Sequence, residues 1–302
     1  MKHKLSLTQE VIGPVSLLAV GMLYGLSAVI AKYLSGTIDP YQVVEYRFGI
    51  ALIGAVLLLI LFKQKLVFKQ IDRKILIGFA VTFPASAILF TLSIFHASVA
   101  LAVFSFYSAN LVAQFILGRL FFGERIDLPK RLAFVFTILA LVAFTDPFND
   151  FSITLGLVFG LISGVIQGIA SSFQKLLGSS TNKSSLLVIQ AFAGTAMASI
   201  VLLATGRSIL PPLSGFAWIA TVVFGLSMLA IMYLFLIGYK YTNLNVGSIL
   251  VSSELLFGPL FAYLLLSEHL SVSIFVGGIF TVIAAILANL PSRLKAKTLN
   301  PE

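Results

Sequence analysis

The chain has 302 residues, of which 59% are hydrophobic and 10% charged, with a net charge of +9 and no cysteine. Ordinary soluble domains carry about 25% charged residues, and so little charge could not keep an aqueous exterior dispersed. These figures exclude disulfides, thiolate metal sites and cysteine nucleophiles, and they make a lipid bilayer the solvent.

In chain order the apolar runs predict ten spanning helices, over 12–32, 41–62, 74–96, 98–121, 130–146, 153–177, 185–205, 214–238, 244–266 and 271–290. Most come close to the roughly 20 residues that cross hydrocarbon. Lys2 and Lys4 precede the first run, which continues from Val11 to Ala31 without a small-x-small cleavage site after it. It therefore reads as a spanning helix rather than a signal peptide. Turn formers part several runs: Asp39-Pro40, Asp127-Leu128-Pro129, Asp146-Pro147 and Pro211-Pro212. Almost nothing separates 74–96 from 98–121, so a tight helical hairpin is expected near His96. The 27 phenylalanines are expected to face lipid for the most part, and Trp218 to mark the outer interface.

Ten spans put both termini on one side of the membrane. With the N-terminus inside, seventeen Lys and Arg residues fall on the inner side, two (Lys32 and Arg207) fall outside, and Arg47 lies within a span. That bias predicts a multi-pass protein of the cytoplasmic membrane with both termini cytoplasmic. The basic residues sit in short tracts between apolar runs and form no folded face, which argues against nucleic acid and for lipid headgroups.

The chain also repeats itself. Gly13, Gly21, Gly25 and Lys32 recur 143 positions later as Gly156, Gly164, Gly168 and Lys175. Gly123-Glu124 recurs at an offset of 144 as Ser267-Glu268, and Arg47 corresponds to Gln190. Two copies follow, 1–146 and 147–302, each of five helices. Because five is odd, the second copy lies upside down, and the expected fold is an all-α integral membrane protein of two inverted five-helix repeats. Inverted repeats suit secondary transporters, whose halves exchange inward-facing and outward-facing roles.

These residues resemble a known family. A duplicated five-helix unit, Pro40 before the second span, Arg47, and Phe-Phe-Gly-Glu-Arg at 121–125 look like the EamA-type branch of the drug/metabolite transporter superfamily. The second copy adds Tyr241-Thr242, Glu254 and Leu-Leu-Leu-Ser-Glu at 264–268. The Glu-Pro pair usual in the later helix reads Glu254-Leu255 here, with Pro259 displaced, and the first copy has Asn110 at the matching position. The resemblance implies ten helices around a central cavity that passes amino acids, related metabolites or drugs.

Glu254 is the sharpest single signal, because a carboxylate is most costly at mid-membrane depth. It can carry a proton, pair with a cationic substrate, or simply be hydrogen-bonded between helices. Tyr107, Asn110 and Gln114 share one face of the fourth span. Ser163, Gln167, Ser171 and Gln174 form a second polar stripe, beside the glycines at 156, 160, 164 and 168. Polar groups avoid lipid, so these faces point inward, to line a watered cavity or to bond between helices. Tyr24 and Gln190 are further cavity candidates. Glu45, Arg47 and His96 are candidates for gating or for structural polar contacts. Glu45 and Arg47, two apart, are expected not to pair with each other.

The sequence shows no metal-ligand pattern, nucleophile elbow or phosphate loop. No cofactor and no enzymatic role are expected, and transport would rest on a coupled proton or ion, on exchange, or on a gradient. The leading expectation is a secondary transporter for a small polar or zwitterionic, amino-acid-like metabolite. A cation or drug exporter centred on Glu254 is the alternative within that class. A membrane scaffold or lipid-handling protein is the alternative outside it.

Overall fold

Aspartate and proline set where the helices begin. The computed structural model describes residues 7–66, 72–122, 128–144, 154–177, 183–209, 213, 215–241 and 250–288. In it Asp39 accepts the Tyr41 N–H at 2.9 Å, and Gln42 Oε1 accepts the Asp39 N–H at 3.1 Å. This reciprocal cap opens α2 (Pro40–Leu61), with Pro40 in the first turn, where its missing N–H has no helical partner to lose. Asp72 likewise accepts the Lys74 N–H at the start of α3 (Arg73–His96).

The other helices are α1 (Leu7–Leu34), α4 (Val99–Phe122), α5 (Leu128–Phe144), α6 (Leu155–Leu177), α7 (Lys183–Ala204), α8 (Phe216–Tyr241), α9 (Glu254–Leu266) and α10 (Val272–Ala288). The hairpin expected near His96 is present: only Ala97 and Ser98 separate α3 from α4. Five stretches (Val11–Leu34, Pro40–Leu61, Arg73–His96, Ser184–Ala204 and Phe216–Leu234) are long and apolar enough to cross a membrane, and five further helices are apolar but shorter among the described residues. Large apolar side chains such as Leu61, Leu120 and Val272 lie on the outside, each more than 70% exposed. Lipid can cover such a surface and water cannot.

One expectation is corrected and another holds only in part. The ninth span does not run unbroken through its middle. Leu250 and Val251 are helical, Ser252 and Ser253 form a turn, and α9 starts at Glu254. The turn closes with the i→i+3 bonds Ser253 N–H to Leu250 O, Leu255 N–H to Ser252 O and Leu256 N–H to Ser253 O. Residues 242–249 lie outside the described residues. The phenylalanines, in turn, are divided: Phe62, Phe121, Phe192, Phe216 and Phe275 are exposed, whereas Phe48, Phe79, Phe104, Phe144 and Phe224 are buried. They fill the core where facing residues are small, as Phe48 does against Gly194, Phe144 against Gly277 and Phe104 against Gly278.

The packing exchanges partners between the two halves of the sequence. α1 lies against α8 and α9, and α6 lies against α3 and α4. α2 pairs with α7, and α5 with α10. Swapping each helix for its counterpart five places on leaves this pattern unchanged. The seams match in detail. A methyl group at Gly164 of α6 would overlap the Phe106 carbonyl and approach the Asn110 nitrogen at 2.9 Å. A methyl group at Gly21 of α1 would overlap the Ser253 hydroxyl and approach the Val251 carbonyl at 2.9 Å and the Glu254 nitrogen at 3.1 Å. Small residues let backbones touch in lipid, where no hydrophobic effect drives helices together. Serine pairs add polar links to both groups: Ser27 with Ser227 between α1 and α8 at 3.0 Å, and Ser86 with Ser163 between α3 and α6 at 3.2 Å.

Loop contacts fall at two opposite ends. At one end Arg207 pairs with Asp39, Gln42 donates to Ser208 O at 2.7 Å, and Lys32 and Glu268 both reach the link between α3 and α4. At the other, about 33 Å away along the 22 residues of α2, Ser184 donates to Gln64 at 2.5 Å.

Candidate functional site

The break before α9 determines where Glu254 sits. Its carboxylate belongs to the first turn of a helix, where unpaired N–H groups and the helix dipole favour negative charge. Glu254 is 3% exposed, and the Tyr107 hydroxyl donates to its Oε2 at 2.7 Å. Tyr107 is on α4, so this bond joins the α3–α4–α6 group to the α1–α8–α9 group.

Arg47 enters from α2 and is also buried, with Glu254 and Tyr24 of α1 within Coulombic reach. Its guanidinium lies over the Phe224 ring of α8, 4.6 Å from the centroid, and its Nε has no hydrogen-bond partner. The face of an aromatic ring attracts a cation, most strongly where water is excluded. Five helices thus converge on a buried positive group and a buried negative group, with two tyrosines beside them. Counting along the helices puts this cluster roughly 10–18 Å inside the end where Lys32 and Glu268 lie.

The other predicted residues are distributed as follows. Asn110 is buried beside the glycine seam of α6, one turn from Tyr107. Gln190 is buried on α7, and Gln167 is half-buried on α6. The side chains of Gln114 and Ser171 lie outside the described residues, as do those of Gln174 and Lys175. Ser163 faces α3 rather than open space, donating to Ser86 O at 2.7 Å. Glu45 and Arg47 do point apart: Glu45 accepts the Ser199 hydroxyl of α7 at 2.9 Å. His96 is exposed at the end of α3, its ring 5.8 Å from that of Phe159, and is not among the residues around Glu254. Trp218 is 46% exposed near the start of α8, edge-on to Tyr46.

Sequence reasoning missed the neighbourhood of Arg47 and Glu254, and with it Phe224. A usable signal existed. Glu45, Arg47 and Glu254 are the charges four or more residues from either end of a predicted span, and opposite charges in hydrocarbon seek one another.

Comparison with known proteins decides the family. The EamA-like transporter family matches residues 11–145 and again 154–290. The chain belongs to that family. Each match covers one five-helix unit, so the EamA-like unit occurs twice; the family is one of membrane transporters, and the apolar helices suit a multi-pass membrane protein. A solved crystal structure, described only as that of a protein, is similar in fold, with a TM-score of 0.66 at 16% identity over 97% of this chain and 98% of the other. No curated protein matches.

Proposed function

We propose that the chain is a secondary transporter that carries a small zwitterionic, amino-acid-like metabolite across the cytoplasmic membrane by alternating access. The observation that carries this reading is the burial of Arg47 and Glu254 together where the two helix groups meet. A substrate carboxylate would take Arg47 and a substrate ammonium Glu254, with Tyr24, Tyr107 and Asn110 supplying neutral hydrogen bonds. Such a molecule replaces the attraction between two buried charges with two of its own, so it can enter without stranding either.

Arg47 weighs against the cation-exporter reading, since a cationic substrate would bring like charge beside a buried guanidinium. The exchange of partners between halves supports two repeats related by an inverted axis, as alternating access requires. Both termini are cytoplasmic on this reading; reporters fused at Lys69 and Asp150 should then give opposite locations.

The test is uptake by purified protein in liposomes, with radiolabelled amino acids and organic cations in separate arms. Amino-acid flux that Glu254→Gln abolishes, in protein that purifies normally, is the expected result. Flux of cations alone would move the assignment to the exporter. Absence of flux in every arm would favour a scaffold or lipid-handling role.

A further inference from the structure

We propose that Lys32 and Glu268 form a polar clamp that shuts one end of the substrate pathway. The inference rests on the alternating-access reading above and supplies the device that separates its two states.

Lys32 Nζ donates to the carbonyls of Ile94 at 3.1 Å and Ala97 at 2.6 Å. These groups lie where α3 ends, and the negative pole of a helix lies at such an end. Glu268 Oε2 accepts the Val99 N–H at 2.9 Å, where α4 begins and the pole is positive. The Ala97–Ser98 link is therefore held from both sides, by a donor at the negative pole and by an acceptor at the positive one. Glu268 is itself fixed by the left-handed Ser267, φ 53°, and by its own N–H donating to Ala262 O at 3.2 Å.

The clamp crosses a mechanical boundary. Lys32 belongs to α1 and Glu268 follows α9, and these two helices share the Gly21–Gly25 seam. The link they hold belongs to α3 and α4, which share the other glycine seam with α6. Separating the two groups at this end requires breaking these hydrogen bonds, whereas sliding within either group does not.

The absence of cysteine allows a direct test. Spin labels at His96→Cys and His269→Cys report the separation of the link from the loop that carries Glu268, by pulsed electron resonance in lipid nanodiscs. Lys32→Met and Glu268→Ala should each add a longer-distance component, while Lys32→Arg and Glu268→Gln, which keep the donor or the acceptor, should retain the short one. Unchanged distances in both Lys32→Met and Glu268→Ala would overturn the clamp; if one variant does not fold, the other decides. The readout needs no substrate. Opening without flux would leave the clamp standing and remove the transporter reading, and flux with unchanged distances would do the reverse.

Discussion

The Tyr107 hydroxyl donates to Glu254 Oε2 at 2.7 Å across the boundary between the α3–α4–α6 and α1–α8–α9 groups. A bond in that position couples the state of the carboxylate to the distance between the groups. Tyr107→Phe removes the donor and keeps the ring. A hydrogen bond to a charged group contributes about 1.5–3 kcal/mol, so substrate affinity should fall by roughly 10-fold or more while the fold persists. Thermal stabilisation by the transported amino acid, compared between wild type and variant, measures this; equal affinity would separate Tyr107 from the binding site.

Arg47→Met should be the most damaging single change at the site. It strands Glu254, and breaking a buried charge pair from one side costs about 3–5 kcal/mol. Adding Glu254→Gln removes the stranded charge and should recover part of the loss. Midpoints of thermal unfolding in detergent for the two single variants and the double give the coupling directly. Additive effects would mean that the two charges do not sense each other.

The glycine seams should respond as a pair. Gly164→Ala drives a methyl group against the Phe106 carbonyl, and Gly21→Ala drives one against Ser253 and the Val251 carbonyl. Each should destabilise by about 1–3 kcal/mol, as overpacking does. Gly49 on α2 has nothing within 4 Å of an added methyl group, so Gly49→Ala should stabilise by about 0.5–1 kcal/mol through helix propensity. Unfolding midpoints shifting the same way in all three variants would contradict the contact geometry.

The end closed by Glu268 should be sensitive to acid. Burial raises its pKa above 4.5, and the Val99 N–H and the Lys32 charge oppose that rise without reversing it. The closed end therefore prefers the protonated form. That contribution is fully present below pH 4.5 and is lost as pH rises through the elevated value. Lowering pH from neutral should enlarge the short-distance fraction between labels at His96→Cys and His269→Cys, and Glu268→Gln should abolish the dependence. A pH response unchanged in Glu268→Gln would assign the titration to another group.

Much of the architecture was legible because lipid imposes long apolar runs and turn chemistry parts them. Asp39-Pro40 reads as a helix start in sequence and is one in space, and the glycines at 156, 160, 164 and 168 read as a seam and form one. The break at Ser252–Ser253 was not legible, since two serines in an apolar run are compatible with a continuous helix and the turn packs against Gly21, more than 200 positions away. Arg47 and Glu254 are separated by some 200 positions, and no local period reports a pairing between α2 and α9. Phe48 and Phe224 look like any lipid-facing phenylalanine until the small residues opposite them are known.

The exchange of partners between the halves also constrains how the chain is made. α1 emerges first, yet Ser27 must wait 200 residues for Ser227, and Gly21 still longer for Ser253. At synthesis rates of about 5–20 residues per second that interval is roughly 10–40 s, during which a helix with a bare glycine face stands in the bilayer without its match. Neither half can mature alone. Two fragments divided between α5 and α6 should therefore be degraded when produced separately and rescue each other when produced together.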